Sequence, residues 1–446
     1  MNRLILLVIA LFFSMKIFSQ GDDVWTLERC INHALQHNID LKRQELQKGL
    51  AEKDYRQEMY NILLGMGAGV EHQLSTGRSL NLEKYEWEDR SKQQGSAGIR
   101  ADLTLFRGLT NYNSIQRGKF RFLSSEADLE AYKNDMTLSL AAYYLDILFS
   151  EELVEVASSQ YEVTRMQVER NKRLVDVGKA AKSELLEMQA QAASEKLKLT
   201  EAKNTLEMAI LDLTQLLDLD SVGNFSVYRP DINIELLEVP PAVTQIYTDA
   251  VRSMPEIRSA EYMLKAQEKD LAVARGNRSP EISLSGLYYS RYLVDAVNPI
   301  DASAGYSLEE QLEDNQYKQL TINMSIPIFS RFRLQTNIGK SKILLDDYRY
   351  ILEQEKQILY KKIQQYHTDV TAAWEKYLSA LEAVNSNEEA FNYTRQKFEV
   401  GLVNSVDFNI AKTDLTRARA NLVQAKYEYI FKIKILDFYQ GKPIQL

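Results

Sequence analysis

The sequence predicts a mainly α fold with a small β part, built from two copies of one unit: strand, strand, long helix, long helix. Three observations carry this. Landmarks recur at a fixed displacement. Leu105-Phe106-Arg107-Gly108 returns as Ile328-Phe329-Ser330-Arg331, and Val177-Gly178 returns as Val400-Gly401, both 223 positions later (401 − 178). Two stretches, 111–176 and 332–400, contain no proline and one glycine each, Gly118 and Gly339. Four short segments alternate apolar and polar residues with period two, as strands with two unlike faces do. A duplicated unit cannot bury its apolar faces alone, so it stacks on its twin.

Residues 1–20 read as a secretory signal peptide. Arg3 supplies the positive end, Leu4 to Phe13 is an unbroken apolar run of ten, and Ser14 to Gln20 turns polar and small. Ten apolar residues are too few to span a bilayer as a helix; a short membrane anchor is the alternative. The sole cysteine, Cys30, lies beyond any cleavage point, so neither a lipid-anchoring cysteine at that point nor an intramolecular disulfide is expected. No later stretch approaches the ~20 apolar residues of a spanning helix.

The first repeat is expected over 21–218, the linker over 219–241 and the second repeat over 242–446. In the first repeat, strands are expected at about 62–74 and 96–106. Leu64, Met66, Ala68 and Val70 alternate with Gly65, Gly67, Gly69 and Glu71, and Ala97, Ile99, Ala101, Leu103 and Leu105 alternate with Gly98, Arg100, Asp102 and Thr104. In the second, strands are expected at about 281–292 and 319–329. The second of these has Leu320, Ile322, Met324, Ile326 and Ile328 interleaved with Thr321, Asn323, Ser325 and Pro327. The polar segments Ser75–Gly95 and Val294–Lys318 read as long loops, acidic at Glu83, Glu86, Glu88 and Asp89 and again at Glu309, Glu310, Glu313 and Asp314.

Helices are expected at about 110–177 and 181–218, then 331–400 and 404–439. The longest would each reach about 100 Å at ~1.5 Å per residue, a length that points to a coiled coil or a helical barrel. Their seam is visible. Ala411, Leu415, Ala418, Leu422, Ala425 and Tyr429 recur at alternating spacings of four and three; the first-half equivalents are Met188, Ala192, Glu195, Leu199, Ala202 and Leu206. This is a heptad stripe with Glu195 as its one polar intrusion. All eight prolines fall from Pro230 onward, at apparent element boundaries or in loops.

The alternating strands fit a soluble sandwich or a membrane barrel, with the faces inverted between the two. Four strands cannot close a channel, and an open sheet edge in lipid leaves backbone groups unpaired at several kcal/mol each. Membrane strands would therefore require several chains in one barrel.

Composition excludes other classes. Net charge is −8, and −10 without Arg3 and Lys16, which offers no global attraction to nucleic acid or anionic lipid. Four histidines and no Gly-rich phosphate loop leave no catalytic triad or nucleotide site, so the chain reads as a non-enzyme without cofactor. Cys30, His33 and His37 share one helix face at metal-compatible spacing. The second-half positions Ile246, Asp249 and Ser253 carry no such set, so a plain helix face is read there in preference to a metal site.

The whole pattern resembles the TolC family of outer-membrane efflux proteins. Trp25-Thr26-Leu27 with Ala34-Leu35 and Asn38 is similar to its N-terminal helix, and Ala250-Val251 with Pro255-Glu256-Ile257 to the second-half counterpart. Arg173-Leu174, Val177-Gly178 and Glu184 resemble one helical-hairpin tip; Phe398, Val400-Gly401-Leu402-Val403 and Asp407 resemble the other. The resemblance implies a homotrimer whose transmembrane β-barrel, in outer-membrane lipid, continues into a periplasmic α-helical barrel. It implies contact between a periplasmic adaptor and the tips, at Val400, Gly401, Leu402 and Val403 and at Val177, Gly178 and Lys179. It implies a periplasmic constriction ringed by Asp407 and Glu184. Ile410 stands where a second acid would, so the gate would be partly hydrophobic. The function implied is the exit duct of a tripartite efflux system for small toxic compounds, driven by an inner-membrane pump of RND or ABC type. Type I protein secretion is the alternative, and a soluble periplasmic coiled-coil scaffold the third reading.

Overall fold

A computed structural model describes residues 24–81, 85–219, 225–232, 234, 240–294, 296–301 and 303–446. The expected signal peptide, Glu83 and much of the expected linker lie outside these residues. The elements, in chain order, are β1 (Val24–Trp25), α1 (Leu27–His37), α2 (Ile39–Tyr60), β2 (Gly65–Asn81), β3 (Glu86–Arg107), α3 (Thr110–Asp176), α4 (Lys182–Leu216), β4 (Ser226–Val227), α5 (Val243–Ser253), α6 (Pro255–Gly276), β5 (Glu281–Leu293), α7 (Leu308–Asp314), β6 (Tyr317–Ser325), α8 (Arg333–Glu399) and α9 (Ser405–Tyr439).

The repeat is visible in the backbone. The turns from β3 into α3 and from β6 into α8 each place two consecutive residues at positive φ: Gly108 (55°) and Leu109 (60°), then Arg331 (52°) and Phe332 (61°). The second residue past α4 and past α9 is also left-handed, Asp218 at 53° and Gly441 at 80°. Every one of these pairs is 223 apart. The turn geometry is thus kept where the side chain is not glycine, at a cost of roughly 1–2 kcal/mol per such residue.

The chain divides into two compact units. One holds Gln47–Ala127 and Arg258–Gln354; the other holds the described residues up to Leu46 with Asp128–Ile257 and Glu355–Leu446. Helices α2, α3, α6 and α8 contribute to both.

The first unit contains an antiparallel sheet of order β2-β3-β5-β6. The segment Ser75–Gly95, read from sequence as a loop, is mostly hairpin: β2 and β3 stay paired from Gly65↔Asp102 out to Asn81↔Glu86. Beyond Leu74 the residues are mostly polar on both faces, so period two vanishes from the sequence while the backbone ladder continues. The other polar segment carries α7, capped by Ser307, whose hydroxyl accepts from the Glu310 N–H while the Glu310 carboxylate accepts from the Ser307 N–H. Helix α7 covers the edge of β5 where β6 has not yet begun. Gln311 Oε1 accepts the Leu293 N–H at 2.9 Å, and Asn315 Nδ2 donates to the Arg291 carbonyl at 3.1 Å.

Beneath the sheet, α2, α3 and α6 are tied by charge. Arg117 donates to Glu58 and, at 2.8 Å, to Asp270, and Arg121 donates to Asp270 at 2.9 Å. Gly118, the one glycine in its long run, lies against the Tyr55 backbone; a Cβ there would sit 3.3 Å from the Tyr55 Cα.

In the second unit, β1 and β4 form a two-stranded parallel pair, and the Tyr144 hydroxyl sits between the Trp25 and Tyr228 carbonyls. Asn38 ends α1 and starts α2: its amide nitrogen donates to the Leu216 carbonyl at 3.0 Å, and its oxygen accepts the Leu41 N–H. Glu152 accepts from Arg229, Lys426 and Tyr427 at 2.7–2.9 Å. Burial pushes its carboxyl pKa up, but the Lys426 and Tyr427 hydrogen bonds and the Lys426 and Arg229 charges outweigh that and hold it below the usual value.

Replacing the exposed Arg331 by Gly should stabilise the fold by about 1 kcal/mol, read as a raised midpoint of thermal unfolding, because the left-handed strain is removed. The lowered Glu152 pKa gives stability that is complete above the unfolded-state value near 4.3 and is lost as pH falls through the folded value. Glu152→Gln should lower stability at neutral pH and flatten the acid limb of a pH–stability curve.

Candidate functional site

Two regions carry functional chemistry: the faces of the sheet and the tips of the helical hairpins. The sheet has unlike faces. Met66, Val70, Leu74, Ile99, Leu320, Ile322 and Met324 share one face and are exposed, Val70 to 83%. The other face carries Glu71, Gln73, Lys92, Gln94, Arg100 and Asp102, with Arg291, Thr321 and Asn323. Polar side chains bond to one another across it: Gln94 donates to Gln73 at 3.1 Å and Ser285 to Asp102 at 2.9 Å. A sheet of a water-soluble domain does the reverse and buries its apolar face. Among the described residues nothing covers these seven side chains, and no strand pairs the outer edges of β2 and β6.

The hairpin tips share a backbone solution. Helix α3 ends with Gly178 at φ 70°, whose N–H donates to the Val175 carbonyl at 2.9 Å, while the Lys179 N–H donates to Leu174 at 2.7 Å. Helix α8 ends with Gly401 at φ 80°, with the same bonds from Gly401 to Phe398 at 3.1 Å and from Leu402 to Lys397 at 2.8 Å. This is the Schellman closure, in which the left-handed residue is almost free of cost only as glycine. The tips differ at the next helix start. Asn404 accepts the Asp407 N–H at 2.9 Å, whereas Ala181 offers no side-chain cap.

Asp407 and Glu184 occupy the first turns of α9 and α4 and are exposed. Ile410 is 56% exposed, one turn further along α9. Val177, Val400 and Leu402 are exposed apolar residues on the two turns, Leu402 at 74%; Val403 is half-buried and Lys179 exposed. The hairpins are joined just behind their tips. Ser405 Oγ donates to Glu187 at 3.0 Å, and Arg170 donates to the Glu399 carbonyl at 3.3 Å. Met188, Phe391, Phe408 and Leu415 form the core there, with Phe398 stacked on Phe408 at 4.7 Å. The structure therefore brings the two expected tip segments together as neighbours. Within one chain it leaves Asp407, Glu184 and Ile410 on the surface.

The polar intrusion at Glu195 has a partner that the heptad pattern did not reveal. Lys412 Nζ lies 2.9 Å from Glu195, and the side chains are 3% and 2% exposed. Thr164 accepts from Lys412 and donates to Glu195; Gln160 and Gln191 donate to Glu195 at 3.1 and 2.7 Å. Thr416 donates to Gln160. The network ties α3, α4 and α9. Burial pulls the Lys412 pKa down, against the opposing pull of Glu195. Its repeat-equivalents are Gln189 and Ala418, so the pair exists once per chain.

The Cys30, His33 and His37 face is buried at Cys30, half-buried at His33 and exposed at His37. Cys30 is buried, His33 meets Trp25 edge-on at 5.3 Å and stacks on His37 at 4.2 Å. Among the described residues no group of acidic, histidine or cysteine side chains is arranged to hold a metal ion.

Removing one member of a buried ion pair strands the other without its counter-charge, at about 3–5 kcal/mol. Lys412→Met should therefore lower the unfolding midpoint steeply, and Glu195→Leu combined with Lys412→Met should recover most of the loss. A double-mutant cycle on thermal unfolding measures it.

A family model described as "Outer membrane efflux protein" matches residues 30–218 and 246–432, one match in each half. The chain is 20% identical over 438 residues to outer membrane protein TolC of Vibrio cholerae, covering 96% of this chain and 93% of that one. It is 22% identical over 356 residues to the alkaline protease secretion protein AprF of Pseudomonas aeruginosa, covering 76% and 69%. Among solved structures it shares the fold of the Campylobacter jejuni CmeC outer membrane channel, with TM-score 0.79, 17% identity and coverage of 93% and 85%.

Proposed function

Because this chain belongs to the outer membrane efflux protein family, we propose that it is the outer-membrane exit duct of a tripartite efflux system, a passive conduit and not an enzyme. The observation that carries the reading is the sheet: one exposed apolar face, one polar face and two open edges. Strands in lipid must have every backbone group paired, so the edges are closed by further copies. Three copies give about twelve strands, within the range of outer-membrane barrels. The apolar row then faces lipid and the polar row lines a water-filled lumen.

In this reading the long helices carry the duct into the periplasm, and the tips meet the adaptor. Val400, Leu402 and Val177 supply exposed apolar side chains on turns closed by Gly401 and Gly178, with Val403 half-buried and Lys179 charged beside them. An adaptor can bury these without distorting the helices. An inner-membrane pump, of RND or ABC type, provides the energy. Asp407 and Glu184 sit in first helical turns, where the dipole favours negative charge. Threefold repetition would gather them into rings, with Ile410 adding an apolar girdle below. Carboxylate rings concentrate cations and bind multivalent ones.

The likeness to a protease secretion protein keeps type I protein secretion as the second reading. The two readings share the duct and differ in the pump that docks on it. The test is reconstitution of the mature protein in a planar bilayer. A steady, low, cation-selective conductance supports the duct. Absence of any current from folded, detergent-soluble protein whose Asp407→Ala, Glu184→Ala and Ile410→Ala variants are equally silent counts against it. If the acids form the constriction, Asp407→Ala should weaken block by a trivalent cation in single-channel records, and unchanged block would remove Asp407 from the gate.

A further inference from the structure

We infer that β6 of one copy pairs antiparallel with β2 of the next, in the register that sets Met324 opposite Val70. This rests on the multi-copy barrel proposed above and adds the register, which decides which side chains meet at the seam.

The chain already holds one example of the junction. β3, the second strand of the first repeat, pairs with β5, the first strand of the second repeat. β6 and β2 are the repeat-equivalents of β3 and β5, and their outer edges are the ones left open. Two displacements carry the register across. The landmark displacement of 223 maps Ala101 onto Met324 and Asp102 onto Ser325. Asp102 pairs with Gly65, and Ser325 pairs with Glu281. Gly65 therefore maps onto Glu281, a displacement of 216 (281 − 65), and Gly286 maps back onto Val70. Ala101 pairs with Gly286 inside the chain, so Met324 pairs with Val70 between chains. Asn323 then faces Glu71, and Leu320 faces Leu74.

Side-chain chemistry agrees with this register, although it took no part in deriving it. Met324, Ile322 and Leu320 lie on the apolar face of β6, and Val70 and Leu74 on the apolar face of β2, so like rows continue across the seam. A slip of one residue would turn the apolar row of one strand into the polar row of the other. A slip of two in one direction sets Lys318 directly opposite Arg78, two like charges. A slip of two in the other sets Lys318 opposite Leu74 and Leu320 opposite His72.

Paired cysteines in the full-length protein test the register. Val70→Cys with Met324→Cys, and Glu71→Cys with Asn323→Cys, cover two adjacent rungs of the ladder. Slipped controls are Val70→Cys with Ile322→Cys and His72→Cys with Met324→Cys. Directly opposite residues approach within disulfide reach, and diagonal ones do not. Native Cys30 does not compete: it is buried, and burial pushes its thiol up to about 12. After mild oxidation of membranes, at least one in-register pair should give covalent multimers on non-reducing gels, several-fold above either slipped pair and absent from single-cysteine variants. A slipped pair that cross-links best overturns the register and leaves the seam. If no cysteine pair cross-links while an amine-reactive cross-linker still captures multimers, the β6–β2 seam itself is wrong. If the amine-reactive reagent captures only single chains as well, the multi-copy reading falls with it.

Discussion

A strand in lipid has no water to satisfy its backbone, and the rest of this protein depends on that constraint. Four strands leave two open edges, which a single chain of this design has no means of closing. Duplication supplies the remedy. The first and last strands of the sheet are equivalents of two strands already paired inside the chain, so on the proposed seam each open edge receives the other from a second copy. Where the edge of β5 lacks a strand neighbour, Gln311 and Asn315 take over its N–H and carbonyl. The protein thus meets the same demand by two routes, side chains at the outer end and strand pairing along the length.

The helical unit is governed by a different balance. Its seam is built of alanine and leucine, which allow close approach but discriminate poorly between one hairpin and its twin. The Glu195–Lys412 pair, with Thr164, Gln160 and Gln191 around it, is satisfied in one arrangement of α3, α4 and α9. A buried pair of this kind adds little net stability against an apolar substitute. Its physical effect is selective: any slide of α9 along α4 separates charges that have no water to fall back on. The tips beyond are held by Phe398, Phe408 and Phe391, so the exposed turns are presented on a fixed base.

Much of this was legible from residue types alone. The 223-residue displacement located both tips, and Gly178 and Gly401 are indeed left-handed. The long helices fall within a few residues of their expected bounds because proline and glycine are scarce inside them. The outer half of the first hairpin was not legible, since period two is visible only where the two faces differ in polarity. Lys412 was missed because it lies one position off the heptad stripe, next to Ala411, where a lysine usually points to solvent. Glu195 was the available signal: a carboxylate on a seam requires a cation, and only the packing of α9 against α4 identifies which. Asp407, Glu184 and Ile410 stand on one chain as ordinary surface residues, because a ring is a property of several copies.

The β3–β5 ladder also shapes how the protein is made. The hairpins β2–β3 and β5–β6 each join neighbours in sequence and can close as soon as they are synthesised. The ladder between them pairs residues as distant as Gln94 and Leu293, with α3, α4, α5 and α6 intervening. Loop closure over such a separation is entropically costly and slow. Until it happens, each hairpin exposes two free edges and an apolar face to water, the conditions under which strands aggregate. A sheet that closes only through so distant a ladder leaves the chain open to aggregation in the aqueous compartment it crosses, so its yield should be set by the time spent there more than by the stability of the finished fold.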